Sequence, residues 1–409
     1  DSFGNMGQAP QILLDAGIDC AAFGRGVKPT GFNNEVAEND NFTSQYSEMF
    51  WESPDGSRIL GVLFANWYNN GMEVPAEPEE ARKYWEEKLA GAMKFASTDH
   101  LLFMNGCDHQ PVQTDLSQAL RTAADLFPDI TFIHSNFTDY CRCLKEEHKE
   151  DLAVIKGELR SQETDGWYTL ANTASARIYL KQMNARCEAL FVRAAEPLAA
   201  MAYEWGKEYP HDLLAYGWKT LMQNHPHDSI CGCSVDAVHR EMVTRFEKAE
   251  QVALHIIEES LSYLAGHMDS RGFRERDGEA VPFFVVNPTG YRKSQTAEAV
   301  LTVKKYPFQG STVAACLEKA QKEKLPAYRI VDRAGNTVPG RVEELPYAFG
   351  YDLPKDRFRN AYFCRKVRVT LEVEDMDPFT LESFCLLPAG EEEEKGSRES
   401  LFTGDNTME

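Results

Sequence analysis

Long apolar runs are missing from this sequence: no stretch approaches the roughly 20 residues that span a bilayer. No signal peptide is visible. The chain opens on Asp1 rather than Met, so the parent polypeptide's own N-terminus is expected upstream. Positive charge is scarce. Lys and Arg number 43 against 64 Asp and Glu, a formal net charge of −21. That balance argues against nucleic acid or an anionic membrane surface as partner, because both reward positive patches. C-x-x-C spacing is absent as well. The ten cysteines are scattered, and only Cys141 with Cys143 and Cys231 with Cys233 share C-x-C spacing. Neither pair reads as a zinc knuckle or a secreted disulfide framework, so free thiols in a reducing cytosol are expected. No internal repeat is seen. What remains is ordinary globular material, 43% hydrophobic and 26% charged over 409 residues. That is enough for a sizeable core and two or three domains.

Three regions differ in pattern. Residues 1–150 alternate helix and strand signals. Helices are predicted at Gln8–Ala16, Pro78–Ala96 and Leu116–Leu126. Strands are predicted at Cys20–Phe23, Ser57–Phe64 (after a Pro54-Asp55-Gly56 turn), Leu101–Met104 and Ile130–His134. Alternation of this kind implies parallel strands with helical crossovers, an α/β, barrel-like catalytic domain. Residues 151–272 carry apolar residues at helical spacing: Ala174–Trp205 with a kink at Pro197, Asp212–Met222, and a long helix capped by Ser234. These predict a three-helix bundle. From 273 to 409 the runs VPFFVVNPTG, QTAEAVLTV, YRIVD and FCRKVRVTLEV predict the start of an all-β, sandwich-like domain, with the acidic run Glu391–Glu394 as a solvated loop.

Chemistry-bearing residues cluster between these elements. Gln223-Asn224-His225-Pro226-His227-Asp228-Ser229-Ile230-Cys231-Gly232 puts two imidazoles and a carboxylate within four residues. Imidazole nitrogen and carboxylate oxygen both suit zinc, although His225 and Asp228 could equally cap helix ends. Asn105-Gly106-Cys107-Asp108 follows the apolar LLFM run, where α/β folds place ligand sites, and Asp108 could transfer protons or simply close an Asx turn. Asp1 precedes a Gly-rich turn into a helix, the usual position of a cap. Trp67-Tyr68-Asn69-Asn70-Gly71 offers aromatic rings for a sugar face or for the core. Several loop carboxylates with one histidine suit glycoside hydrolysis, and spacing alone leaves metal-assisted amide or ester hydrolysis open.

The chain resembles glycoside hydrolase family 38, the α-mannosidases, in their bacterial branch. The matching stretches are DSFGNMGQAPQIL (1–13), FMNGCDHQP (103–111), ARIYLKQMNARCEALFVRAAEPL (176–198) and QNHPHDSICG (223–232), in the family's order. The resemblance implies a retaining, zinc-dependent hydrolase of terminal α-mannosides, cytoplasmic, with a homo-oligomer as a candidate assembly. In that role Asp1 would be the nucleophile and a zinc ligand, and His227 a second zinc ligand. Asp108 would protonate the leaving oxygen and then deprotonate water. Asp228 would contact sugar hydroxyls, Phe3 would pack against the sugar or support the site, and Arg25 (in FGRG) would be the active-site arginine. Trp67 and Tyr68 are further candidate sugar contacts. A retaining enzyme keeps its two carboxyl groups about 5–5.5 Å apart.

The family's N-terminal segment supplies a His-x-Asp pair as the remaining zinc ligands. That pair is expected upstream of Asp1, which would leave this chain two of four ligands, weak in zinc and inactive alone. Hydrolysis of a mannosyl-glycerate or its phosphorylated form is the alternative within the class. A zinc-dependent amide or ester hydrolase and a non-catalytic carbohydrate-binding fragment are alternatives outside it.

Overall fold

The computed structural model describes residues 2–27, 44, 46–64, 66–148, 151–160, 169–354 and 356–389, with the backbone of 402–404 and 407–408. The acidic run at 391–394 lies outside the described residues. In chain order the elements begin with α1 (Ala9–Asp15), β1 (Cys20–Phe23), β2 (Glu48–Glu52), β3 (Arg58–Leu63), α2 (Pro78–Met93), α3 (Leu116–Leu126), α4 (Phe137–Glu147) and β4 (Val154–Lys156). A helical stretch follows: α5 (Ile178–Leu190), α6 (Glu196–Glu204), α7 (His211–Met222), α8 (His227–Ile230), α9 (Asp236–His267) and α10 (Arg271–Arg276). The remainder is β-rich: β5 (Val281–Asn287), β6 (Lys293–Pro307), α11 (Val313–Lys322), β7 (Tyr328–Asp332), β8 (Gly340–Glu344), β9 (Ala348–Asp352), β10 (Asn360–Met376) and β11 (Thr380–Pro388). Contacts divide the chain into two compact units, Asp1–Gln182 with Asn224–Val243, and Met183–Gln223 with Thr244–Glu409.

The first unit is built on a sheet of order β1-β3-β2-β4. Its central strand β3, RILGVL, is apolar at nearly every position because both faces are covered. The period of two divides it cleanly. Ile59 and Leu63 join Phe23, Met49, Trp51, Phe95 and Ile155 in one cluster, against which Leu13 of α1 packs. Leu60 and Val62 join Leu144 of α4 and Leu152 in another. The expectation of parallel strands holds for β1–β3 and β2–β4 and fails for β2–β3, which run antiparallel. The Pro54-Asp55-Gly56 turn is too short for a crossover and makes a hairpin. Among the described residues the sheet is an open four-stranded path, where a barrel-like sheet is predicted. Strands β2 and β4 and helix α4 are not predicted from the sequence; Asn136 caps α4, its side chain accepting from the Asp139 N–H.

Two predicted strands are not strands. Leu101–Met104 and Ile130–His134 run without a ladder, and their apolar side chains (Leu101, Phe103, Ile130, Phe132) pack on Trp85 and Leu89 of α2 and on Ala119 and Ala123 of α3. Burial alone explains their composition, and the backbone of the first finds side-chain partners instead.

In the second unit, α5 to α6 is almost continuous. Pro197 has no N–H to give the Arg193 carbonyl, and the helix absorbs the loss by widening into a π-type turn over Phe191–Ala195. Phe191 is buried against Trp218 of α7, ring centroids 5.1 Å apart. Gly217 of α7 lies against Phe191 and Val252 of α9, so three helices meet there. Residues 281–388 hold two antiparallel sheets, β6-β10-β8 with β9 also on β10, and β5-β11-β7, and Phe402–Gly404 pairs with Thr407–Met408 in a small third one. Val367, Val369, Leu371 and Val373 of β10 share one core with Phe283, Ile330, Phe384 and Leu386 of the other sheet. The expectation of an all-β region from 273 onward misses α11, whose Thr312 cap accepts from the Ala315 N–H.

Candidate active site

Asp1, the expected nucleophile and zinc ligand, lies outside the described residues. The other candidates, all in the first unit, form a chain of contacts. His227 opens the short helix α8 behind Pro226, and its ring meets Phe3 edge-on with centroids 5.4 Å apart. The Arg25 guanidinium stands 5.3 Å over the Phe3 ring and 5.3 Å over the Trp67 ring. Trp67 packs on Tyr68 at 4.9 Å, and the Tyr68 hydroxyl donates to Asp108 Oδ2 at 3.2 Å. Asp228 is exposed, 3.7 Å from His227 Nε2, and its Oδ1 accepts from the Cys233 thiol at 3.3 Å.

Charge is tuned along this chain. Burial lowers the Arg25 guanidinium from its ordinary value, and the nearby Tyr68 and Asp228 offset part of that effect. Burial also raises the Tyr68 phenol, reinforced by the charge of Asp108 and by the hydrogen bond to it. Tyr68 is therefore a protonated donor at neutral pH.

The backbone around the contact between Tyr68 and Asp108 is unusual. Asn66 (φ +57°) and Trp67 (φ +71°) precede Tyr68, and His109 (φ +62°) follows Asp108. A left-handed tryptophan is uncommon, and such conformations cost about 1–3 kcal/mol each, persisting where surroundings impose them.

Sequence reading overlooked the residues that hold these loops. Arg177 Nε donates to the Gly232 carbonyl at 3.1 Å and its Nη2 to Asp236 at 2.6 Å; Lys181 Nζ donates to the Cys231 carbonyl at 3.2 Å. The 176–198 stretch thus anchors the loop after His227 through charged side chains on backbone carbonyls. Asn70, Asn105 and Gln113 bind the Tyr68 loop to the Asp108 loop. Their signal in the sequence was only their position beside the two motifs.

Among the described residues no group of three or more His, Cys, Asp or Glu could hold a metal ion. His227 is the one expected ligand described, its side chain 41% exposed. A structural zinc site takes four donors and a catalytic one three plus an open position, so the described residues do not make a zinc site. A His-x-Asp spacing does occur in the chain, at His267-Met268-Asp269, in the second unit. Its groups are engaged elsewhere: Asp269 accepts from Arg271 Nε at 3.0 Å and Nη2 at 3.1 Å, and His267 Nδ1 lies 2.9 Å from the Tyr263 carbonyl. The expectation of reduced cysteines is also corrected. Cys20 of β1 and Cys141 of α4 form a disulfide with Cα atoms 6.4 Å apart, while the other eight are free. The packing of α4 on β1 pairs them, which a separation of 121 residues hides.

Three family models match in succession: the glycosyl hydrolases family 38 N-terminal domain over residues 1–158, the alpha mannosidase middle domain over 169–264, and the family 38 C-terminal domain 1 over 278–388. The chain belongs to glycoside hydrolase family 38. Its architecture is that of the family, an α/β N-terminal domain, a helical middle domain and a β-sheet C-terminal domain. Among family 38 relatives, a Halalkalibacterium halodurans protein named "Putative mannosylglycerate hydrolase" is 46% identical over all of this chain and 45% of its own length. Human "Alpha-mannosidase 2C1" is 26% identical over 60% of the chain and 22% of its own length. The crystal structure of an alpha-mannosidase from Enterococcus faecalis superposes with a TM-score of 0.84 at 49% identity, covering 95% of this chain and 43% of that one. The chain therefore spans less than half the length of these relatives. Among the described residues no helix is long and apolar enough to cross a membrane.

Proposed function

We propose that this family 38 chain serves the hydrolysis of α-linked mannosyl groups with retention of configuration. Asp1 would act as nucleophile and Asp108 as acid, then base. The observation that carries the reading is the contact chain from His227 through Phe3, Arg25, Trp67 and Tyr68 to Asp108. It brings a hydrogen-bonded carboxyl and an imidazole to the two ends of a run of aromatic rings, in which Trp67 is buried at 5% exposure and backs the run, while the half-buried Phe3 and Tyr68 are the rings that a sugar could meet.

In the first step the bond from the anomeric carbon to the leaving oxygen breaks, an Asp1 oxygen bonds to that carbon, and the Asp108 proton passes to the leaving oxygen. Tyr68 then stabilises the new Asp108 carboxylate through its O–H. In the second step Asp108 takes a proton from water, the water oxygen bonds to the anomeric carbon, and Asp1 is released. Arg25, held over two rings, would orient the sugar or Asp1 through its charge. Zinc is the expected cofactor, and Asp1 and His227 would be among the residues that hold it.

The relative at 46% identity favours a second reading, mannosyl-glycerate or its phosphorylated form as substrate. The test assays the full polypeptide in which this sequence occurs on an aryl α-mannoside and on α-mannosyl-glycerate, before and after chelation, with zinc restored. Turnover of either, lost with chelator and recovered with zinc, supports the reading and selects the substrate. Failure on both, with zinc shown to be bound, overturns it in favour of another hydrolysis at the same site.

A further inference from the structure

We propose that Asn70 is a positioning residue for Asp108, its side-chain amide standing in for a neighbouring β-strand and fixing the loop that carries the acid. Asn70 is only 6% exposed. Its Nδ2 donates to the Leu102 carbonyl at 2.9 Å, and its Oδ1 accepts from the Met104 N–H at 2.8 Å. Carbonyl of one residue and N–H of the second residue after it are the pair that a strand neighbour would engage. One carboxamide engages both in the LLFM run, which enters no ladder.

The clasp continues along both loops. Gly71 N–H donates to the Met104 carbonyl at 3.0 Å, and Asn105 Nδ2 donates to the Gly71 carbonyl at 3.0 Å. Gln113 then repeats the Asn70 arrangement on Val74, accepting from its N–H at 3.1 Å and donating to its carbonyl at 2.7 Å. Two buried or half-buried amides thus stitch residues 70–74 to 102–113. Tyr68 stands just outside the stitched span on one side and Asp108 within it on the other, and their hydrogen bond closes the span. Asp108 itself is exposed and on a loop, so nothing in its own helix or strand fixes it. A site group on a loop needs its second set of contacts to hold it within a fraction of an ångström.

The proposal rests on Asp108 being the acid/base, and the test separates the two ideas. Asn70→Ala and Asn70→Asp are compared with the wild type, in the full polypeptide, on α-mannosides with a good leaving group (2,4-dinitrophenyl) and a poor one (methyl). A good leaving group needs little protonation. A misplaced acid should therefore lower kcat on the order of 10- to 100-fold for the methyl glycoside and far less for the dinitrophenyl one, with KM little changed. Asn70→Asp keeps the volume and the acceptor for Met104 but sets a carboxylate oxygen against the Leu102 carbonyl at a site only 6% exposed, so it should show the same pattern at least as strongly, and the activity that either variant retains on the dinitrophenyl glycoside reports that it has folded. Hydrogen exchange should quicken in peptides covering 101–108 and stay unchanged in β10 and β11. Equal loss on both substrates, or unchanged exchange at 101–108, overturns the positioning role. A wild type inactive on both and on α-mannosyl-glycerate, while Asn70→Ala still loosens 101–108, overturns the acid/base reading and leaves the clasp as structural only.

Discussion

Gly26 shows how tightly one residue can be constrained beside the site. A Cβ on it would lie 2.2 Å from the Leu159 carbonyl oxygen, and its φ of +89° is one that side chains rarely adopt. The same Leu159 exchanges both backbone hydrogen bonds with Asn5 at 2.9 Å, so residue 159 holds the turn after Phe3 and the turn after Arg25 together. Gly26→Ala must push these apart. It is expected to destabilise the protein by about 2 kcal/mol or more and to lower activity by shifting Arg25, as read by urea unfolding and by kcat/KM. A variant of wild-type stability would show that the two turns are not so close. Tyr68→Phe is gentler, removing one hydroxyl. Hydrogen bonds to charged groups are worth about 1.5–3 kcal/mol, so kcat should fall roughly 10- to 100-fold with little change in KM. An unchanged kcat would remove Tyr68 from the account of Asp108.

At the scale of elements, helices with a clear 3.6-residue pattern could be read directly: α3 is Leu116–Leu126 both as predicted and as observed, and α1, α2 and α7 differ only at their ends. Strands were harder. LLFM has the composition of a buried strand, yet its Leu102 carbonyl and Met104 N–H meet the Asn70 side chain, 32 residues from Leu102, rather than a strand neighbour. Strand β2, EMFWE, has acidic ends that conceal its buried Met49 and Trp51. The bundle gives a direct test. A Cβ on Gly217 would meet the Phe191 ring at 2.5 Å and Val252 at 3.2 Å, so Gly217→Ala should cost about 1–3 kcal/mol through overpacking. Trimming Phe191 to Leu in the same chain should recover part of that loss, so the two changes should be non-additive in denaturant unfolding; simple additivity would argue against the contact. Beyond α9, hydrogen bonds from Arg271 hold the Asp269 carboxyl down at about 2, from an ordinary 3.8. A folded-state value below the unfolded one gives stability that is present above the unfolded value and lost as pH falls through the folded one. Urea midpoints should therefore drop between about pH 4 and pH 2, and Asp269→Asn should drop less steeply over that window. An identical slope would mean that the pair contributes nothing measurable in solution, as many exposed pairs do.

Over the whole molecule, the candidate site is assembled from places far apart in sequence, residues 3, 25, 67–68, 108 and 227–228. Each motif was visible alone, but spacing could not say that Phe3 would pack on His227 or Arg25 on Trp67. Long-range pairing was equally hidden for Cys20 and Cys141, because no local C-x-x-C signal accompanies a bond that only the packing of α4 on β1 creates. Their Cα separation of 6.4 Å falls within the range a disulfide bridges. Closing a loop of this length restricts the unfolded chain, and removing a native disulfide typically costs about 2–5 kcal/mol. Cys20→Ser is therefore expected to lower unfolding stability by that amount, with faster hydrogen exchange in peptides covering β1 and α4 and none in β10 or β11. Thiol counting decides the premise: denatured without reductant, the chain should show the eight free cysteines, and after reduction all ten. Ten thiols before reduction would mean that the protein is made where glutathione keeps the pair apart, and Cys20→Ser should then be close to neutral. Eight would mean that an oxidising environment has sealed β1 to α4, and the argument for a reducing compartment from scattered cysteines would fall.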